Sequence, residues 1–177
     1  MSSGEPIRNV LILIAMEAEA APFLSTLSLQ KADWQHPGAP CVIYSGMHKG
    51  VIVSVCTNGL CSKHDNTVNN VGTTPAAISA FLTISQLKPD LIINAGTAGG
   101  FKSKGAAIGD SFISTFMRHH DRRIPIPGSE GYSRGHHASL ACPNLVASLG
   151  FKTGVVTTSN SLDHTEMDNS IMAENGQ

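Results

Sequence analysis

Charged side chains make up only 14% of this 177-residue sequence and aromatics 5%, with a single tryptophan. The charged share is well under the ~25% of an ordinary soluble domain. That deficit is compatible with surface hidden in an oligomer, without showing one. Neither sign is in excess: Lys and Arg total 12 against 13 Asp and Glu, for a net charge of −1. With no basic surplus to neutralise phosphates, nucleic acid is not expected as the main partner. Long apolar runs are also missing. The longest, residues 10–16, falls far short of the ~20 residues a membrane helix needs. The start, Met1-Ser2-Ser3-Gly4-Glu5-Pro6, has neither a secretion leader nor a myristoylation pattern. Cysteine is present, but Cys41, Cys56, Cys61 and Cys142 form no CxxC pair and no zinc spacing. Free thiols in a reducing compartment follow, and the cytosol is the expected location.

What is there is enough for one core-bearing domain over residues 1–177, with residues 1–8 expected as a disordered tail. Hydrophobic residues reach 41%, which argues against disorder. Val10-Leu11-Ile12-Leu13-Ile14-Ala15 reads as a strand buried on both faces. Met16, Ala20, Phe23, Leu24 and Leu27 then recur at helical spacing, with Pro22 tolerated in the first turn. Two β-rich runs, residues 41–46 and 51–56, flank Met47-His48-Lys49-Gly50 and predict a hairpin, hence a mixed sheet. Thr74-Pro75 reads as a helix start, with Ile78, Phe81 and Leu82 on one face and Lys88-Pro89 as the stop. Asp90-Leu91-Ile92-Ile93-Asn94 reads as another buried strand. Further strands are expected near residues 106–114 and 154–158, separated by a polar surface loop over residues 118–137. Residues 162–177 show neither a clear strand nor a patterned helix. The alternation is that of an α/β layered domain.

Candidate chemistry gathers at few places. In Asn94-Ala95-Gly96-Thr97-Ala98-Gly99-Gly100 the glycines follow a strand, where they permit positive φ or close approach of a ligand. Gly100-Phe101-Lys102-Ser103 is not a P-loop, and the dinucleotide spacing GxGxxG is absent. Glu17 and Glu19 stand where a strand gives way to a helix, and helical geometry does not choose between them. Acidic residues also favour such positions through the helix dipole alone. His119-His120-Asp121-Arg122-Arg123 and His136-His137 read better as polar loop than as metal ligands, since neighbouring histidines point apart and no third ligand is suitably spaced. No nucleophile motif for covalent hydrolysis is present.

Taken in order, the blocks Ile14-Ala15-Met16-Glu17-Ala18-Glu19-Ala20, Lys88-Pro89-Asp90 through Gly100-Phe101, and Ile108-Gly109-Asp110 resemble the 5′-methylthioadenosine/S-adenosylhomocysteine nucleosidase family. His120-Asp121-Arg122-Arg123-Ile124-Pro125-Ile126-Pro127 is similar to its plant branch in particular. The resemblance runs over residues 10–163. It implies a nucleoside phosphorylase/hydrolase-like fold, a three-layer αβα sandwich around a mixed sheet, in a homodimer. It implies hydrolysis of the bond between adenine and a 5′-thio-substituted ribose, in methionine salvage, with a small purine thionucleoside as the partner and neither cofactor nor metal. The transition state is oxocarbenium-like, so water must be placed, ribose held and adenine protonated.

Carried over by that resemblance, Glu19 matches the water-activating glutamate and Glu17 does not. Thr97, Ala98 and Gly99 match the turn against the nucleoside. Ser161 and Leu162 match the segment lining the adenine pocket. The family's Thr/Ser-Gly-Asp reads Thr158-Ser159-Asn160 here, putting a serine where glycine is usual. A Met-Glu pair that grips the ribose hydroxyls and a Ser-Asp pair that protonates adenine do not occur in the 177 residues. The expectation is therefore a member shortened at its C-terminus, lacking the closing elements and inactive alone. A partial, non-catalytic subunit pairing with a full-length relative is the alternative. A nucleoside phosphorylase ranks lower, because Thr57-Asn58-Gly59-Leu60-Cys61-Ser62-Lys63 offers phosphate only Lys63.

Overall fold

The structure is a computed structural model that describes residues 6–33, 36, 38–63 and 67–174. Most of the tail read over residues 1–8 lies outside the described residues. The chain divides into two compact units, Met1–Thr97 and Ala98–Gln177.

In the first unit β1 (Asn9–Ile14) leads into α1 (Glu17–Thr26), followed by β2 (Gln30–Lys31), β3 (Val42–His48), β4 (Val51–Thr57), α2 (Thr73–Leu87) and β5 (Leu91–Asn94). The strands form one mixed sheet in the order β2-β3-β4-β1-β5. β1 lies parallel to β4 and β5, whereas β3 pairs antiparallel with β2 and β4. The hairpin is as read. Lys49 and Gly50 turn the chain at φ 49° and 82°, a two-residue turn whose twist matches that of the strands.

Alternation along β1 builds two apolar layers, because successive side chains leave opposite faces. Ile12 and Ile14 join Ala20, Leu29, Val53 and Val55, with Leu24 of α1 and Leu27 at its C-cap packed against them. Leu11 joins Cys41, Ile43 and Cys56, with Leu82 and Leu87 of α2 closing the other side. Each large apolar side chain buried this way is worth ~1.5–3 kcal/mol. A hydrogen bond between the free thiols of Cys41 and Cys56 lowers the pKa of Cys41 and, together with burial, raises that of Cys56.

Several expectations are corrected. Pro22 lies in the interior of α1, since that helix begins at Glu17, immediately after the strand. There its ring denies a hydrogen bond to the carbonyl four residues earlier. α2 begins at Thr73 after Gly72, so Thr74 is inside the helix and makes no cap hydrogen bond. Its inward face carries the buried Ser79 and Thr83, while Ile78 and Phe81 are 43% and 72% exposed. β5 is an edge strand, and its Ile92 and Ile93 stay exposed.

In the second unit a 3₁₀ turn (Lys102–Lys104) precedes β6 (Phe112–His119), α3 (Glu130–Arg134), β7 (His137–Ala138), α4 (Pro143–Leu149), β8 (Lys152–Thr158) and α5 (Glu166–Glu174). The sheet order is β7-β6-β8, with β6 antiparallel to β7 and parallel to β8. β6 starts later than the sequence predicts. Residues 106–110 form a turn in which the Ala107 N–H donates to Asp110 Oδ2 at 2.7 Å, and Lys152 binds the same oxygen at 2.6 Å. The stretch read as loop holds α3 and β7. α5 is a helix that the apolar pattern did not reveal. No helix among the described residues is long and apolar enough to cross a membrane.

Candidate functional site

The two glutamates at the head of α1 are separated by their partners. Because β1 and β5 are parallel neighbours, with Leu13 opposite Asn94, the chain leaves both strands at one sheet edge. That places Glu19 beside Thr97. Glu19 Oε1 accepts from the Thr97 backbone N–H at 2.7 Å and from its hydroxyl at 2.6 Å. Glu17 points elsewhere: Thr57 Oγ1 donates to Oε1 at 2.5 Å, and the Tyr44 hydroxyl donates to Oε2 at 3.1 Å. Thr57 is fully buried, so Glu17 is tied into the sheet. Burial, and then the Glu17 charge, push the Tyr44 phenol above its ordinary range.

Positive φ is not what the glycines of the Asn94–Gly100 run provide, since Gly96, Gly99 and Gly100 are not among the positive-φ residues. Close approach is. A Cβ on Gly96 would lie 3.4 Å from Glu19 Oε1, and one on Gly100 would lie 2.9 Å from the Ala106 Cβ.

Ala98, Gly99, Ser161 and Leu162 belong to the second unit. There a cavity of about 310 Å³ is lined by Asp121, Arg123, Ser161, Thr165 and Asp168, among others. Leu162 is fully exposed. Ser159 does not adopt positive φ, and its hydroxyl donates to the Ser161 carbonyl at 2.6 Å. Serine is therefore accommodated at the position where the resemblance leads one to expect glycine.

Asp121 and Arg123, read from the sequence as part of a polar loop, border this cavity. Arg123 pairs with the buried Asp168. Hydrogen bonds from the Thr165 N–H and hydroxyl, with help from the Arg123 charge, hold the Asp168 carboxyl below its ordinary value. The Asp168 N–H in turn donates to Thr165 Oγ1 at 3.2 Å, a reciprocal cap on α5. The Thr165-x-x-Asp168 spacing was the signal that would have found both the helix and its cap. His119 has a buried Nδ1 with no hydrogen-bond partner. Burial first, and then the Arg122 charge, lower its pKa. Among the described residues no group of three or more His, Cys, Asp or Glu is arranged to hold a metal ion.

Residues 9–161 match the phosphorylase superfamily. The chain is 41% identical over 175 residues to the 5′-methylthioadenosine nucleosidase of Arabidopsis thaliana, covering 96% of this chain and 64% of that protein. It is 36% identical over 174 residues to the 5′-methylthioadenosine/S-adenosylhomocysteine nucleosidase of the same plant, covering 96% and 67%. The solved apo structure of the Arabidopsis methylthioadenosine nucleosidase superposes with a TM-score of 0.93 at 40% identity, over 97% of this chain and 70% of that one. The chain belongs to the 5′-methylthioadenosine/S-adenosylhomocysteine nucleosidase family within the phosphorylase superfamily. It spans about two thirds of the length of these relatives.

Proposed function

We propose that these residues supply the water-activating part of an N-ribosyl hydrolase that cleaves 5′-methylthioadenosine, and S-adenosylhomocysteine by extension, releasing adenine. The observation that carries the reading is the clamp on Glu19. With Oε1 held by both donors of Thr97, the carboxylate has one fixed orientation and can present Oε2 to a water. That oxygen takes a proton as the water attacks the ribosyl cation, and adenine leaves with a proton of its own. Thr97, Ala98 and Gly99 are proposed to lie against the nucleoside, and Ser161 and Leu162 against the base. The groups that the resemblance calls for in ribose clamping and base protonation are not among these 177 residues. Tested alone, they are expected to turn over ~10²–10⁴-fold more slowly than the Arabidopsis relatives. The proposal includes a cytosolic setting, in keeping with four cysteines that form no disulfide.

The test follows adenine release from 5′-methylthioadenosine by chromatography, beside equilibrium binding of the nucleoside. Binding with slow, phosphate-independent release that Glu19→Gln abolishes supports the reading. A folded chain that binds no purine thionucleoside, or a release that requires phosphate, overturns it.

One observation favours the partial-subunit reading as well. α2 contains no charged residue, and it turns Ile78, Phe81 and Ile84 outward while burying Ser79 and Thr83. Such a face suits burial against a second copy or a full-length relative. Sedimentation of the wild type beside Phe81→Glu tests this: a wild-type monomer would count against pairing through α2.

A further inference from the structure

The turn carrying Ser161 and Leu162 is not held by packing. Residues 160–162 are exposed, so polar contacts must set where they stand. One is internal, the Ser159 hydroxyl donating to the Ser161 carbonyl, and another comes from the segment that follows β6. β6 and β8 are parallel, with His119 opposite Thr158, so the chain leaves both strands at one edge of their sheet. At that edge and beyond it the two chain segments are laced together. His120 Nδ1 shares a 2.9 Å hydrogen bond with Thr157 Oγ1. Asp121 Oδ2 accepts from the Asn160 N–H at 2.7 Å. Arg123 donates to Thr165 Oγ1 at 3.4 Å and pairs with Asp168. Three successive rungs thus bracket residues 158–164, and the middle one reaches the backbone of the turn itself. Asp121 and Ser161 also line the same cavity.

The geometry points to Asp121 as a positioning residue: its carboxylate fixes the backbone of residues 159–162 in the placement that a purine base requires. This rests on the reading of Ser161 and Leu162 as the base-lining segment. Asp121 acts through Asn160 and need not touch the base. A carboxylate-to-amide hydrogen bond is the stronger kind, and this one ties the backbone of the turn to the segment that follows β6. The outer rungs, through His120 and Arg123, hold the two flanks of the same loop.

The experiment uses the 177-residue chain and two readouts, amide hydrogen exchange at Asn160 by NMR and the dissociation constant for adenine. Asp121→Ala is expected to speed Asn160 exchange and weaken adenine binding, each by about ten-fold or more. Asp121→Asn keeps an acceptor oxygen, so it should restore most of both; this rescue separates positioning from general destabilisation. It also keeps the test decisive if the alanine variant does not fold. Unchanged Asn160 exchange in Asp121→Ala overturns the inference, as does faster exchange with unchanged adenine affinity. If the wild type binds no adenine, the functional reading falls. Asn160 exchange, with its rescue by asparagine, then decides alone whether Asp121 orders the turn.

Discussion

Thr97 gives both of its hydrogen-bond donors to a single oxygen of Glu19, the backbone N–H at 2.7 Å and the hydroxyl at 2.6 Å. A carboxylate held that way is oriented before any ligand arrives. It differs from Glu17 two residues earlier, which faces Tyr44 and Thr57. Glu19→Gln keeps the shape of the side chain and removes the proposed base, so on that proposal adenine release should fall by ~10²–10⁴. Thr97→Val removes one donor of two and should cost about ten-fold, near the worth of one hydrogen bond to a charged group. Glu17→Gln should instead show in thermal melting. Prolonged incubation with labelled 5′-methylthioadenosine, set against melting curves, measures all three.

Two glycines make opposite demands. Gly59 sits at φ +72°, and a Cβ there would lie 1.8 Å from the Pro40 carbonyl oxygen. Gly59→Ala should therefore destabilise the fold by more than ~2 kcal/mol, since backbone has to move. A Cβ on Gly96 meets Glu19 Oε1 at 3.4 Å, an ordinary contact, at a φ open to any residue. Gly96→Ala should fold normally. Urea denaturation of the two variants side by side distinguishes them.

His119 predicts an acid sensitivity. Its pKa lies below the ordinary 6.5, chiefly through burial and then through the Arg122, His137 and His120 charges, with Asp121 opposing. Below 6.5 the unfolded chain therefore binds more protons than the folded one, so stability rises with pH in that window. The contribution is complete above pH 6.5 and is lost as pH falls toward the lowered folded value. A His119→Gln variant should show a flatter stability profile just below pH 6.5. Asp168 and Asp110, both held below 3.8, add a second acid loss beneath that value.

The cap on α5 offers a test of the second unit alone. Thr165→Ala removes the hydroxyl that bonds both Asp168 and Arg123. It should cost ~0.5–2 kcal/mol, as removal of an N-cap side chain does. The readout is faster amide exchange along the first turn of α5. Thr165→Ser should recover most of the protection.

Legibility in the sequence followed the kind of signal each element carries. β1 and the β3–β4 hairpin were readable, because a continuous apolar run and two β-rich runs around a glycine turn are local signals. The family was readable from ordered blocks. α5 was not, because its stabilising feature is a Thr165–Asp168 cap while its apolar pattern is weak. β6 was placed too early because Ala106, Ala107 and Ile108 look strand-like, yet Ile108 is fully exposed in a turn. β5 reads as buried from composition alone, and its place at the edge of the sheet is a property of topology. The same holds for Glu17 and Glu19. Their spacing on α1 is symmetrical, and only β3, β4 and the end of β5 make them different.

The outer face of α2 has one further consequence. With no ionisable group on that helix, any association through Ile78, Phe81 and Ile84 is blind to pH and to ordinary salt. It should respond instead to temperature, loosening in the cold as apolar attraction fades, and tightening in sulfate. Chilling, rather than acid or salt, is then the condition that would separate copies joined through α2.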